Sequence, residues 1–239
     1  TAVPHLATLK THVPFINFFD GFRTSHEYHK VEVMDMEDLR PLVDEADIKN
    51  FRDRALSPER PVTRGTAENP ETFFTHREAC NAYYDAIPDV VEHYLGEISK
   101  ITGREYHNFS YYGAEDAENI IILMGSATEA AREAIDHLVA EGKKVGMVAV
   151  HLYRPFSIKH LFAAVPATVK KIAVLDRTKE PGAEGEPLYL DVKSAYYDQE
   201  NRPVIVGGRY GLGSSDITPA KIISVFNNLD LPEPKNHFT

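Results

Sequence analysis

With 239 residues, 43% of them hydrophobic and 26% charged, the chain has the balance of a folded globular protein, long enough for one large domain or two modest ones. A net charge of −10, and no dense block of Lys and Arg, argue against nucleic acid as a partner. The longest apolar runs, such as 120–124 and 145–150, fall far below the roughly 20 residues that cross a bilayer. Cys80 is the only cysteine, which excludes an internal disulfide and any Cys-ligated iron–sulfur or structural zinc centre built from this chain alone. The cytoplasm is the expected compartment. The start Thr-Ala-Val-Pro carries neither an initiator Met nor a signal core, and the chain is read as a piece of something longer.

In chain order, the aromatic run 15–19 is expected to be a buried strand, closed by the turn residues Asp20-Gly21 and followed by either a helix or a strand. Residues 36–56 carry helix formers with Leu39, Leu42, Val43, Ile48 and Phe51, and Pro41 marks a start or break, so one or two short helices are expected. Pro58, Pro61 and Pro70, set among Gly, Thr and Glu, make 57–74 an extended connection and a domain boundary. A helix-period stripe over 76–100, crossed by Pro88, predicts a long kinked helix or two in sequence.

From about Ala117 the pattern alternates. "AENIIILMG", "KKVGMVAVHL", "VKKIAVLDR" and "RPVIVGG" read as strands. "SATEAAREAIDHLVAEG", "SIKHLFAAV", "EPLYLDVKSAYYD" and "TPAKIISVFNNL" read as helices between or after them. Ser126 with Glu129 spells a capping box, Gly142 is a C-terminal stop, and Pro219 opens the last helix. Strands flanked by helices at this spacing predict an α/β fold with an open, mostly parallel sheet.

The candidate chemistry is thin. "HEYH", His26 to His29, looks like a zinc protease motif, but its histidines are three apart where one helical turn requires four, so metal binding is set aside. Thr24 or Ser25 is a plausible helix cap, and Arg23, His26 and Glu27 are read as a polar corner touching other segments. "VGGRYGLGSSD" places glycines between a strand and a helix, where backbone N–H groups favour an anion. Gly208, Gly211, Gly213 and Ser214 are therefore the cofactor-binding candidates. The order is not GxGxxG, however, and no Walker lysine follows, so a glycine-built turn at a contact is the competing reading. The charged loop 176–189 follows a strand end and offers Asp176, Arg177, Lys179 and Glu180 to a partner, a substrate or solvent alone. Arg177 and Arg209 join the interface candidates. His93, His137, His151 and His160 carry no partner pattern, and Cys80 lies on the apolar stripe of its helix and is read as packing. Neither a Gly-Asp-Gly diphosphate signature nor a G-x-S-x-G elbow is present, so the sequence holds no catalytic and no metal-ligating set.

Taken in order, "FFDGFRTSHE", "GSATEAAREAIDHL", "VGMVAVHLYRPFS", "VLDRTKEPGAEGEPLYLDV" and "GGRYGLGSSDITPAKIISVF" resemble pyruvate:ferredoxin (flavodoxin) oxidoreductase. The resemblance covers essentially the whole chain. It implies that 1–74 is the tail of a thiamine pyrimidine-binding domain with an extended linker, and that 75–239 is core domain II. The latter would comprise a helical lead-in 75–115, an α/β domain 116–232 like the C-terminal domain of transketolase, and a C-terminal linker 233–239. Enzymes of this family use thiamine diphosphate, Mg2+ and 4Fe-4S clusters, and convert pyruvate and coenzyme A to acetyl-CoA and CO2 while reducing ferredoxin or flavodoxin. The resemblance places those groups in other domains, so no cofactor and no catalytic residue is expected in this chain. Its expected partners are the remaining domains or subunits of a homodimeric parent, with the electron carrier met through other domains. The alternatives are a separate subunit binding a nucleotide or thiamine phosphate, and the C-terminal domain of another thiamine-dependent 2-oxoacid dehydrogenase.

Overall fold

The computed structural model describes residues 1–21, 23–28 and 30–239, and of Arg23 only the backbone. The helices of the first part are α1 (Ala2–Thr11), α2 (Arg23–His26), α3 (Met36–Leu39), α4 (Glu45–Asp53), α5 (Pro70–Ala79) and α6 (Asn81–Thr102). There follow β1 (Phe109–Gly113), β2 (Asn119–Leu123), α7 (Ala127–Ala140), β3 (Val145–Val150), α8 (Ile158–Ala164), β4 (Lys171–Asp176), α9 (Pro187–Ala195), β5 (Val204–Arg209) and α10 (Pro219–Asp230). The chain divides into two compact units, one made of Thr1–Phe18 and Lys30–His107, the other of Phe19–His29 and Asn108–Thr239.

In the first unit α1 packs on α6 and α4. Leu6 and Ala7 are buried on α1, and on α6 the buried Ile87, Val91, Tyr94 and Ile98 recur at the helical period and so lie on one face. Asp44 caps α4 by accepting from the Ala46 N–H at 2.8 Å, and Lys10 reaches Asp47 at 3.3 Å. The run 15–19 is not the expected buried strand: it has no regular structure, and Ile16 is 88% and Phe18 65% exposed. A strand needs a neighbour to take its hydrogen bonds, and no described segment pairs with this one. The extended connection stops short of 74, because Pro70 sits at the first turn of α5, where its missing N–H costs nothing. Cys80 lies at the junction of α5 and α6, not on a stripe, and its thiol donates to the Arg77 carbonyl at 2.8 Å. None of the side chains of α5 is buried.

The second unit is a five-stranded sheet in the order β1-β3-β2-β4-β5. The four strands expected from the sequence are parallel, with Ile122 opposite Val148 and Val174, and Ile172 opposite Ile205. Strand β1 falls inside the expected helical lead-in; it adds antiparallel to β3, with Phe109 opposite Val150. Alternation along β2 sends Ile121 and Leu123 to the face covered by α7 and α10, and Ile120 and Ile122 to the face covered by α8 and α9. The last residues, expected as a linker, run beside β5: the Arg209 N–H donates to the Phe238 carbonyl at 2.9 Å and the Phe238 N–H to the Gly207 carbonyl at 3.3 Å. They take up hydrogen bonds that an edge strand leaves open.

Candidate functional site

Helix α7 leads from β2 to β3 on one side, and α9 leads from β4 to β5 on the other. The connections therefore diverge at the carboxyl ends of β2 and β4, the place where open α/β sheets keep their ligands. In this chain a side chain of its own fills that crevice. The Asp20 carboxylate accepts from the Ser126 N–H at the start of α7 and lies 3.3 Å from Arg177 Nη1, just beyond β4. Both side chains are mostly withdrawn from water, Asp20 at 17% and Arg177 at 24% exposure. The positive end of a 14-residue helix and a guanidinium thus converge on one carboxylate.

Local backbone choices make the room. Gly125 has φ 79°, and a Cβ there would lie 2.7 Å from Asp20 Oδ2, so only glycine both turns the chain and admits the carboxylate. Tyr210, after β5, closes the far side by donating to the Met124 carbonyl at 3.2 Å. Its phenol is pushed up, first by burial and then by the nearby Asp20 charge. The Arg177 Nε–H donates to the Gly211 carbonyl at 3.3 Å, and Thr24 Oγ1 approaches Ser126 Oγ at 3.4 Å.

The capping box expected at Ser126 and Glu129 is not made: Ser126 has helical backbone angles, and its hydroxyl accepts no N–H of α7. From outside the helix, Asp20 instead takes the N–H of Ser126, the donor that Glu129 would take in a capping box. Ser126→Ala is accordingly expected to change stability by less than about 0.5 kcal/mol in a thermal or urea melt; a loss above about 1 kcal/mol would restore the serine cap.

A second cluster surrounds the start of α9. Asp176, at the end of β4, accepts from the Leu188 N–H at 3.0 Å and the Tyr189 N–H at 3.1 Å. Burial raises its carboxyl above the usual range, and those two hydrogen bonds oppose the rise. Glu186 is 1% exposed, and its Oε1 lies 3.3 Å from Arg209 Nη1 and 3.8 Å from Lys179 Nζ. Arg209 also donates to the His237 carbonyl at 3.0 Å, and Asn236 Oδ1 accepts from the Gly207 N–H at 2.8 Å.

The residues singled out in the sequence thus separate. Gly208 lies on β5 with its open side against the Phe238 ring and Leu175, so an aromatic side chain fills the space that a phosphate would need. Gly211 turns beside Arg177 with φ 65°. Gly213 and Ser214, also at positive φ, sit in a short turn, and nothing approaches the Cβ position of Gly213. Arg177 and Arg209 are each engaged within the chain. His26 and Glu27 are exposed on the Phe19–His29 segment, and the side chain of Arg23 lies outside the described residues. Asp20, which reads in the sequence only as a turn former, is the residue that joins the crevice; no local signal marks it, because its partners are 106 and 157 positions away. Among the described residues no three His, Cys, Asp or Glu side chains are grouped to hold a metal ion. No helix there is long and apolar enough to cross a membrane.

Residues 1–95 match the pyruvate flavodoxin/ferredoxin oxidoreductase thiamine diphosphate-binding family, and residues 117–222 match pyruvate:ferredoxin oxidoreductase core domain II. A pyruvate-flavodoxin oxidoreductase of Enterobacter agglomerans is 58% identical over 238 residues, which is 100% of this chain and 20% of that protein. The pyruvate:ferredoxin oxidoreductase of Moorella thermoacetica is 52% identical over 237 residues, 99% of this chain and 20% of that protein. Among solved structures, a 2-oxoglutarate:ferredoxin oxidoreductase from Magnetococcus marinus aligns at 23% identity and a TM-score of 0.44, over 68% of this chain and 24% of that one; no residue is carried across at that similarity. The chain spans about a fifth of the curated relatives it matches, and along that span it belongs to the pyruvate:flavodoxin/ferredoxin oxidoreductase family.

Proposed function

We propose that this chain is a structural and assembly portion of a pyruvate:ferredoxin or flavodoxin oxidoreductase and supplies no catalytic residue to it. The parent would convert pyruvate, coenzyme A and the oxidised carrier to acetyl-CoA, CO2 and the reduced carrier. The observation that carries the reading is the filled crevice. The helix N-terminus and the arginine that would receive an anionic cofactor are already neutralised by Asp20. The arginine of the glycine-rich segment, Arg209, is spent on Glu186.

The residues present do not fit the cofactors of the parent. A carboxylate occupies the place of a diphosphate, Phe238 covers Gly208, and one cysteine cannot hold a cluster of four irons. Thiamine diphosphate, Mg2+ and the clusters are therefore assigned to other parts of the parent, and no reaction step is routed through these residues. The exposed Ile16, Phe18, Val31, Val33, Phe73 and Phe74 of the first unit fit a unit that is covered by more of the parent. In this reading 1–74 completes a thiamine-binding domain, and the sheet that follows is core domain II.

The purified 239-residue chain is expected to show no pyruvate- and coenzyme A-dependent reduction of a viologen dye, and no heat on titration with coenzyme A, ATP or thiamine diphosphate. Turnover would overturn the assignment. Saturable heat with any of the three would point to a separate binding subunit.

A further inference from the structure

We propose that the groove between α10, the turn 210–217 and the tail 235–239 seats a polypeptide segment of the parent from outside these 239 residues, one that presents an apolar side chain flanked by acidic ones. This rests on the reading of the chain as a portion of a longer parent, and it fixes where, and by what chemistry, another portion docks.

The groove lies wholly within the second unit and encloses about 780 Å³. Its walls are fixed before anything binds. Asn228 on α10 donates to the Lys235 carbonyl at 3.0 Å and accepts from the Lys235 N–H at 2.9 Å, which ties the tail to the helix. Phe238 is bonded to β5 through both its N–H and its carbonyl, and Arg177 holds the turn through the Gly211 carbonyl. A preformed seat costs little ordering when it is filled. Leu175, Tyr210, Ile217, Val225 and Phe238 make its floor apolar, and Leu212 and Leu231, 45% and 42% exposed, carry the apolar surface out to the rim. The polar side chains do not converge on the centre: Ser224 donates to the Ala220 carbonyl, Asn228 is used on the tail and Arg209 on Glu186. None of the buried polar atoms that lack a partner lines the groove. A small-molecule site places polar groups to orient its ligand, whereas an apolar centre with a charged rim is the anatomy of a protein contact. The rim here is basic. Lys221 and Lys235 are both exposed, the Lys221 ammonium gives its hydrogen bond to the Asp216 carbonyl, and among the described residues neither ammonium meets a carboxylate. Asp216, the acidic side chain of the described lining, has a partner of its own. In a chain of net charge −10, these two cations are a local reversal of sign that selects an acidic partner. The chain is 20% of the length of its curated relatives, which leaves most of the parent to supply the segment.

Carbodiimide cross-linking of the native full-length parent, read by peptide mass spectrometry, tests this. Lys221 and Lys235 are expected to join aspartates or glutamates outside residues 1–239, and to react with acetic anhydride about tenfold more slowly in the native protein than in urea. Lys221→Glu with Lys235→Glu changes only exposed positions, so the fold is kept, and it should speed hydrogen–deuterium exchange of the cross-linked outside peptide about tenfold, with β2 and β4 unchanged. Lys221→Arg with Lys235→Arg should leave that peptide at the wild-type rate. Cross-links confined to carboxylates of residues 1–239, or lysines as reactive in the native protein as in urea, show an open groove and overturn the proposal. So does a small molecule that protects both lysines, seen by native mass spectrometry and without any outside cross-link. The intact mass of the purified native polypeptide separates the failures. A polypeptide of 239 residues without a partner subunit overturns the reading of the chain as a portion, and the seat with it; a longer polypeptide with an open groove overturns the seat alone.

Discussion

Replacing Arg209 with methionine is expected to destabilise the second unit by about 3–5 kcal/mol, the cost of stranding one member of a buried ion pair. Glu186 is 1% exposed, and with Arg209 gone its nearest cation is Lys179, 3.8 Å away and half exposed. One of its oxygens already lacks a partner among the described residues, so the carboxylate has little to fall back on. The substitution also removes the bond to the His237 carbonyl, which helps hold the last residues beside β5. The informative comparison is the double variant Glu186→Gln with Arg209→Met, which should recover much of the loss because no buried charge remains. A urea titration of the two single variants and the double one measures the coupling. If Arg209→Met costs under about 1 kcal/mol, or if the double variant is simply additive, the pair does not hold the β4 and β5 ends together. A structural role also predicts that the damage follows stability, not the interface role expected of Arg209 from the sequence.

Gly113→Ala should cost about 2–4 kcal/mol, combining a strained backbone with overpacking. Gly113 ends β1 with φ 136°, and an added methyl would meet Gly146 Cα and come within 2.5 Å of the Val145 carbonyl oxygen. Both obstacles are backbone on the paired strand β3, so no side chain can rotate out of the way. Gly182→Ala is the control: it too has positive φ, at 82°, but nothing lies within 4 Å of its Cβ position. It should cost only about 1 kcal/mol, from conformation alone. Equal losses for the two in chemical denaturation would show that the collision at β1 is relieved, and that the strand is not held as tightly as its register suggests.

The elements legible in the sequence were those with strong local periodicity. Four apolar runs bounded by amphipathic helices announced β2 to β5, and a 3.6-residue stripe announced α6. The elements that were not legible depend on distant partners. "FSYYG" is too short and too polar to stand out, and it becomes β1 because β3 offers an open edge with Gly146 to accept it. The run 15–19 has the composition of a strand, but lacks a described partner and stays exposed. Ser126 spells a cap in the local code, yet its hydroxyl caps nothing, and the N–H of Ser126, which the Glu129 half of a capping box would take, is bound by a carboxylate 106 positions earlier.

The same division runs through the candidate site. Arg177, Arg209 and the glycine-rich turn could be picked out locally, since they follow strand ends, where loops carry function. What they do could not. By itself the sequence determined the alternating α/β pattern, the parallel sheet and the absence of a metal or cluster motif, because each of these is a matter of period, composition or spacing within a few residues. Only the tertiary structure decided that the crevice between β2 and β4 is filled by Asp20, that Arg209 serves a buried Glu186 and that Phe238 lies over Gly208. Those pairings join residues that are far apart in the chain, and their energies depend on burial, which no local pattern records.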